Sequence, residues 1–219
     1  MSFPKEIIPI KNADKGFHER WSQGRDLLNI PHPYRAVLLG RPNCGKTSTL
    51  KNMLIRAQPD FEKIVVIHCD PTGTVEYDDL DNVDILGEIP APDEFNGECK
   101  TLVALDDLEF KTLSKTQKHN LDRLFGYVST HKNVSCILCA QDTFSVPSIV
   151  RRCANLWIVW RIMDMDSLKT IGRKIGIPSK LIMNIFENME SPHDSLWVDL
   201  TKGSPMPRRL NGYVPIEIE

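Results

Sequence analysis

Short apolar runs and helix-type patterns alternate along most of this 219-residue chain. Uninterrupted apolar runs of strand length indicate strands that are buried on both faces. The predicted strands are 34–39, 63–68, 101–105, 134–140 and 155–160, with a shorter one at 83–86. Strands of this kind are typical of a mainly parallel sheet that is covered by helices on both sides.

Apolar positions spaced three and four residues apart predict helices between these strands. The first helix presents Leu50, Met53, Leu54 and Ala57 on one side. A capping-box pattern at 114–117 opens a second helix, a short third begins near Ser145 or Val146 with Pro147 in its first turn, and two more follow at 165–175 and 178–189. The chain then ends in predicted strands at 195–200 and 209–215. The whole pattern predicts an α/β fold of three layers.

The length fits one domain of this class, which we assign to residues 34–219. Residues 1–33 are polar and irregular, and they end in the proline-rich breaker at 31–33, so we expect an N-terminal extension there. The longest apolar stretches are strand-sized and far below the roughly 18 residues of a membrane helix, so no membrane-spanning segment is expected. The charged start of the chain does not resemble a signal peptide.

The charge balance restricts how the chain could meet nucleic acid. Twenty-seven basic and 29 acidic residues give a formal net charge of −2, with a pI near 6.3. This balance excludes a protein that coats nucleic acid by bulk positive charge. A local patch or the centre of an oligomer would have to make any such contact. The best local basic cluster is Lys111, Lys115, Lys118 and His119, although charge on a helix usually marks a solvated face.

Six cysteines are spread along the chain, which favours a reducing compartment over a disulfide framework. Cys136 and Cys139 have the spacing of half a zinc site. They lie in a predicted strand, however, where residues three apart point to opposite faces. We therefore expect both cysteines to be core residues.

The sharpest motif is a G-x-x-x-x-G-K-T phosphate loop between the first strand and the first helix. Its backbone amides and the helix N-terminus would bind phosphates, so ATP is the expected ligand. Lys46 would reach the β and γ phosphates, and the Thr47 hydroxyl would ligate Mg²⁺. The predicted nucleotide-binding residues are Gly40, Arg41, Pro42, Asn43, Cys44, Gly45, Lys46, Thr47 and Ser48.

Cys44 raises a separate question because it lies inside this loop. If its thiol is exposed, the loop amides and the helix dipole should lower its pKa and make it reactive. The alternative is a filler position whose side chain points away from the nucleotide.

Two carboxylates, Asp106 and Asp107, directly follow the predicted strand at 101–105. Asp106 is the candidate Mg²⁺ ligand, and Asp107 is the candidate general base for an attacking water. A solvated acidic turn is the alternative, since Glu109 is close by. Gln141 ends the next core strand and is a candidate for sensing the γ-phosphate or orienting water.

Arg151 and Arg152 lie at the C-terminal end of the short helix before the strand at 155–160. An arginine can cross a subunit boundary to stabilise the transition state of phosphoryl transfer. The alternative is a cation that favours the C-terminal end of its helix dipole.

Together, the phosphate loop, the Asp106-Asp107 pair, Gln141 and the two arginines resemble the FtsK–HerA superfamily, over roughly residues 34–200. The resemblance is closest to its small viral genome-packaging ATPases, from poxvirus-type and double-jelly-roll viruses and virophages. It implies an additional-strand P-loop fold, a pentameric or hexameric ring, and ATP-driven translocation of double-stranded DNA into a preformed capsid. Asp107 departs from the pattern, because glutamate is commoner at that position.

The same resemblance implies capsid or vertex proteins as partners, and a location in the host cytoplasm, the virus factory or the virion. A small-molecule or nucleoside kinase with a P-loop is the alternative enzyme. Such kinases usually need an arginine-rich lid, which is not obvious here. A nucleotide-binding assembly protein with little turnover is the third possibility.

Overall fold

One nine-stranded sheet forms the centre of the molecule. The computed structural model describes residues 24–217. The strands are β1 (Arg35–Leu39), β2 (Lys63–Ile67), β3 (Val83–Leu86), β4 (Thr101–Leu105), β5 (Val134–Ala140), β6 (Leu156–Trp160), β7 (Ser195–Asp199), β8 (Arg208–Leu210) and β9 (Val214–Pro215). Their spatial order is β3-β2-β4-β5-β1-β6-β7-β8-β9, and the first six of these run parallel. The fold is α/β, as predicted.

In the part of the chain that the structure describes, five main helices cover the two faces of the sheet. They are α1 (Lys46–Ile55), α2 (Lys115–Arg123), α3 (Ser148–Cys153), α4 (Met165–Ile175) and α5 (Ser179–Glu187). Helix α2 continues without a break through a π-helical segment, Leu124–Val128, to Ser129–His131. The Ser114 hydroxyl caps α2 by accepting from the backbone N–H of Gln117 at 3.1 Å, while the Gln117 side chain accepts from the backbone N–H of Ile89 instead of closing the predicted capping box.

The sheet order inserts one strand between the phosphate-loop strand and the strand that carries the aspartates. β5 pairs with β1 on one side and with β4 on the other, in the registers Leu39↔Ala140 and Leu105↔Leu138. This confirms the additional-strand type. Because these strands are parallel, their carboxyl ends meet at one edge of the sheet, where ligands bind in open α/β folds.

The alternating pleat divides the core into two parts. Val37, Val103 and Leu138 face the side covered by α2 to α5, whereas Leu38 and Ala104 face the side covered by α1. Cys136 and Cys139 follow the same rule: both are buried, and they belong to opposite cores. The prediction that they are core residues, and not two ligands of one metal, is confirmed.

The two ends of the described chain pack onto this domain. Leu28 and Ile30 are buried in the α1-side core, and Arg25 forms an ion pair with Asp199 at 2.6 Å. Residues 24–33 of the predicted extension therefore contribute to the domain core, and the rest of that extension lies outside the described residues. The predicted strand 209–215 is split into β8 and β9, because Asn211 and Gly212 adopt positive φ angles in a turn between them.

The length and polarity of each helix decide whether it could span a membrane. Within residues 24–217, every helix is too short or too polar to cross a bilayer.

Candidate nucleotide-binding site

The loop between β1 and α1 is held close to the sheet. The Gly40 amide donates to the Ala140 carbonyl at 3.0 Å, which carries the β1–β5 pairing one residue past the strand. A Cβ at Gly40 would lie 2.5 Å from Cys44 Sγ and 2.8 Å from Trp160 Cβ. Glycine is required there, since the Trp160 Cβ is fixed by its own backbone and cannot move aside.

The loop then turns so that its groups can meet an anion. Asn43 and Gly45 have φ angles of 60° and 105°, in the left-handed region that asparagine and glycine tolerate best. Lys46 Nζ donates to the carbonyls of Gly40 and Arg41 at 2.8 and 2.9 Å, so the ammonium group is held across the loop. Loop amides, the N-terminus of α1 and this cation together suit a polyphosphate.

Asp106 lies directly beneath the start of α1 and is only 4% exposed. Its Oδ2 accepts hydrogen bonds from the Thr47 hydroxyl at 3.2 Å and from the Tyr77 hydroxyl at 2.5 Å. Burial and the neighbouring Asp106 carboxylate raise the pKa of the Cys139 thiol. A hydroxyl and a carboxylate side by side are hard oxygen donors, and this donor set fits Mg²⁺. The structure brings the two predicted metal ligands, Thr47 and Asp106, together.

Tyr77 is a site residue that sequence reasoning missed. It is 1% exposed and reaches Asp106 from the long connection between β2 and β3. Burial and the neighbouring Asp106 charge raise the pKa of Tyr77 well above its usual range, so it remains a neutral hydroxyl donor. No local motif could have indicated it, because the contact spans 29 residues.

Asp107 differs from its neighbour in both exposure and conformation. It is exposed and has a φ angle of 51°, which turns its side chain away from the direction that Asp106 takes. Gln141 Nε2 donates to Asp107 Oδ1 at 3.3 Å. Both residues line an open cleft of about 400 Å³ that also contains Lys46 and Asp106. The structure therefore brings Lys46, Asp106, Asp107 and Gln141 to one cleft.

A second groove of about 550 Å³ lies over the other side of the phosphate loop. It is lined by the loop residues 43–49 together with Glu76 and His193. His193 Nδ1 lies 3.3 Å from the Cys44 carbonyl oxygen, and Trp160 Nε1 donates to the His193 carbonyl at 3.1 Å. Both volumes are in the range of small-ligand sites. Sequence reasoning did not find this wall of the groove, since it comes from the loop before β7.

Comparisons with known proteins show which solved structures share this fold. No protein-family model matches the chain, and no curated protein matches its sequence. Among solved structures, the genome-packaging NTPase B204 of Sulfolobus turreted icosahedral virus 2, in complex with AMPPCP, matches with a TM-score of 0.58 at 15% identity. The match covers 84% of this chain and 98% of B204. At this level of identity the match shows a shared fold, that of the P-loop NTPases.

Two larger proteins share this fold. The conjugation coupling protein TcpA of pCW3 matches with a TM-score of 0.52 at 14% identity, over 84% of this chain and 65% of TcpA. The type VII secretion ATPase EccC of Thermomonospora curvata matches with a TM-score of 0.54 at 14% identity, over 82% of this chain and 27% of EccC. B204 has also been solved with ATP-γS and with AMP, so the fold is known to accommodate nucleotides in that relative.

Cys44 does not behave as the exposed-thiol hypothesis requires. The residue is 8% exposed and packs into the α1-side core with Trp160. Burial raises the pKa of its thiol, and the nearby Lys46 charge and backbone hydrogen bonds offset this only in part. The condition for a lowered pKa, an exposed thiol, is not met, and the structure supports the alternative of a filler position whose side chain packs into the core.

Arg151 and Arg152 lie outside the nucleotide cleft. Helix α3 starts near the cleft but runs back toward the amino end of the sheet, where the Cys153 carbonyl accepts from Arg35 Nε at 2.7 Å. Arg151 is half-buried and donates to the Thr143 carbonyl at 3.3 Å. Arg152 is exposed, and no other residue within 24–217 forms a hydrogen bond or ion pair with it. A role for either arginine toward a nucleotide would require a second subunit.

Proposed function

We propose that this chain is an ATP-hydrolysing motor that moves double-stranded DNA into a preformed viral capsid. The observation that carries the proposal is the convergence of a phosphate loop, a buried Mg²⁺-type carboxylate and an exposed second carboxylate at one sheet edge. The match to B204 over 98% of that chain supports an ATPase domain of the genome-packaging kind.

Each residue of the cleft then has a defined task. Lys46 and the loop amides would hold the β and γ phosphates, and Thr47 and Asp106 would hold Mg²⁺. The bound Mg²⁺ would neutralise charge that develops on the phosphate oxygens. Asp107 accepts the proton of the attacking water, and Gln141 fixes Asp107 through the 3.3 Å hydrogen bond to Oδ1. Because Asp106 is buried and already accepts two hydrogen bonds, Asp107 is the better candidate for the base.

The proposed partners follow from charge and from the fold. A net charge of −2 does not suit one subunit that binds DNA by its overall field, so DNA would contact positive groups gathered in a pentameric or hexameric ring. Lys111, Lys115 and Lys118 are exposed beside the cleft and are the candidate DNA contacts. The unpaired, exposed Arg152 is available to act on the site of a neighbouring subunit. Capsid or vertex proteins complete the proposed assembly.

The deciding experiment measures ATP hydrolysis with and without double-stranded DNA of unrelated sequences. We expect Mg²⁺-dependent hydrolysis that DNA stimulates regardless of sequence and that rising salt weakens. Lys46→Ala should abolish hydrolysis and keep the fold, whereas Lys63→Ala, an exposed lysine at the far end of β2, should behave as wild type.

Other outcomes would contradict the proposal in distinguishable ways. Phosphate transfer to a small acceptor without DNA stimulation would identify a kinase. Nucleotide binding without turnover, with or without DNA, would identify an assembly protein. Full hydrolysis by a folded Lys46→Ala protein would refute the assignment of the cleft itself.

A further inference from the structure

A second group of metal-ligating side chains lies beside the nucleotide cleft. His68 and Cys69 directly follow β2, and Asp107 comes two residues after β4. The parallel register Ile67↔Leu105 brings these two strand ends together. One ligand atom from each of the three side chains lies within 4.8 Å of the other two, and Cys69 Sγ is 3.9 Å from Asp107 Oδ2.

Two of the three side chains are already oriented by outer hydrogen bonds. His68 Nδ1 lies 3.1 Å from the Asp70 carbonyl oxygen, and in the tautomer that donates to this oxygen the Nε2 lone pair is left for a cation. Gln141 Nε2 donates to Asp107 Oδ1 at 3.3 Å. The other oxygen of Asp107, Oδ2, is therefore the one that faces the Cys69 sulfur. Partners of this kind around metal ligands fix side-chain orientation and strengthen binding. Cys69 is exposed, so a cation can reach it from solvent.

Imidazole, thiolate and carboxylate form a donor set that suits Zn²⁺ and disfavours Mg²⁺ and Ca²⁺. With a Zn–S length of about 2.3 Å and Zn–N or Zn–O lengths of about 2.0–2.2 Å, neighbouring donors of a tetrahedral site lie roughly 3.3–3.7 Å apart. The observed spacings need only small rotations of surface side chains to reach this range. We propose that His68, Cys69 and Asp107 bind a thiophilic divalent cation of the Zn²⁺ class, at a site separate from Thr47 and Asp106.

Occupation of this site would have a consequence for hydrolysis, and this part rests on the proposed function of Asp107 as general base. A cation bound to Asp107 occupies the lone pairs that would accept the proton of water. Lys46, Thr47 and Asp106 are not ligands of the second site, so ATP and Mg²⁺ would still bind. The cation would therefore hold the protein in an ATP-bound state that does not hydrolyse.

The site is tested first without nucleotide, by titrating the purified protein with Co²⁺ in excess Mg²⁺. Co²⁺ bound to a thiolate gives a near-ultraviolet charge-transfer band, which we expect in the wild type and expect Zn²⁺ to abolish. Cys69→Ser should remove the band, and His68→Asn should weaken Co²⁺ binding by at least about tenfold. The matched controls are Cys99→Ser and His119→Asn, both at exposed positions elsewhere. A wild type without the band, or equal loss in Cys69→Ser and Cys99→Ser, overturns the site.

The consequence is tested by ATP hydrolysis at buffered free Zn²⁺, with the rate of each variant divided by its own metal-free rate. We expect Zn²⁺ to inhibit the wild type and Cys99→Ser, and Cys69→Ser to require at least about tenfold more Zn²⁺. Equal inhibition of Cys69→Ser would place the inhibitory cation at Thr47 and Asp106 and refute the link. A protein that shows the Co²⁺ band but never hydrolyses ATP would contradict the proposed function and leave the metal site standing.

Discussion

The buried hydroxyl of Tyr77 offers the sharpest test of how the Mg²⁺-type carboxylate is held. Tyr77→Phe removes one oxygen and keeps the ring, so it deletes the 2.5 Å hydrogen bond to Asp106 Oδ2 with little change in packing. Since Tyr77 is 1% exposed, water cannot easily replace the lost donor. The perturbation therefore isolates one hydrogen bond to one carboxylate.

The size of the effect follows from the partners that remain. A hydrogen bond to a charged group contributes about 1.5–3 kcal/mol to stability. Asp106 would still accept a hydrogen bond from the Thr47 hydroxyl, so we expect the lower part of this range, about 1.5–2 kcal/mol. For a domain of this length, that corresponds to a fall in Tm of roughly 3–8 °C. Mg²⁺-dependent nucleotide binding should also weaken, because the carboxylate loses a fixed orientation.

The assay is urea unfolding of the wild type, Tyr77→Phe and a matched control. Tyr213→Phe serves as the control, because Tyr213 is 51% exposed and lies in the β8–β9 turn. We expect the control to stay within about 0.5 kcal/mol of the wild type. If the two variants have the same free energy of unfolding and bind nucleotide alike, the hydrogen bond does not hold Asp106 and the reasoning is refuted.

Three further predictions address the base, the pH dependence and the arginine. Asp107→Asn should slow hydrolysis by about 10²-fold or more while ATP still binds; if Glu109→Gln has this effect instead, the wrong acid has been assigned. Burial lowers the pKa of His32 to about 4, so the folded protein favours the neutral imidazole. The free energy of unfolding should therefore fall by about 2–3 kcal/mol as the pH drops from 6.5 to 4. Urea unfolding of His32→Gln should lack that part of the slope, and an unchanged slope would contradict the burial argument. Mixing Arg152→Ala with Lys46→Ala subunits should restore hydrolysis if the arginine acts in trans, whereas inactive mixed rings would leave Arg152 without that role.

The sequence predicted the parts of the fold that depend on local pattern. β3, β4, β5 and α4 have the predicted bounds, because each is an apolar or amphipathic run with clear breakers on both sides. The phosphate loop was equally visible, since its chemistry requires a continuous motif between a strand and a helix.

The remaining features depend on contacts between distant segments. The Tyr77–Asp106 hydrogen bond and the His193 wall of the second groove come from connections whose course no periodicity indicates. The sequence left open whether Cys44 is exposed, because the motif indicates the charge of the loop but not the burial of each side chain. The turn that separates β8 from β9 did have a local signal, the Asn211-Gly212 pair, which is typical of a hairpin and which the continuous strand prediction over 209–215 overlooked.

The place of β5 in the sheet has a consequence for how this chain can change over evolution. Two strand spacings of about 4.8 Å each separate the strand that precedes the phosphate loop from the strand that ends at the aspartates. This separation is set by main-chain hydrogen bonds on both sides of β5, so it is independent of which side chains the strands carry. Substitutions can accumulate in both cores while the distance between the ends of β1 and β4 stays the same. A phosphate and a water must fit within that distance. A scaffold whose critical dimension is built into the backbone tolerates extensive sequence drift, consistent with a fold shared with B204 at 15% identity.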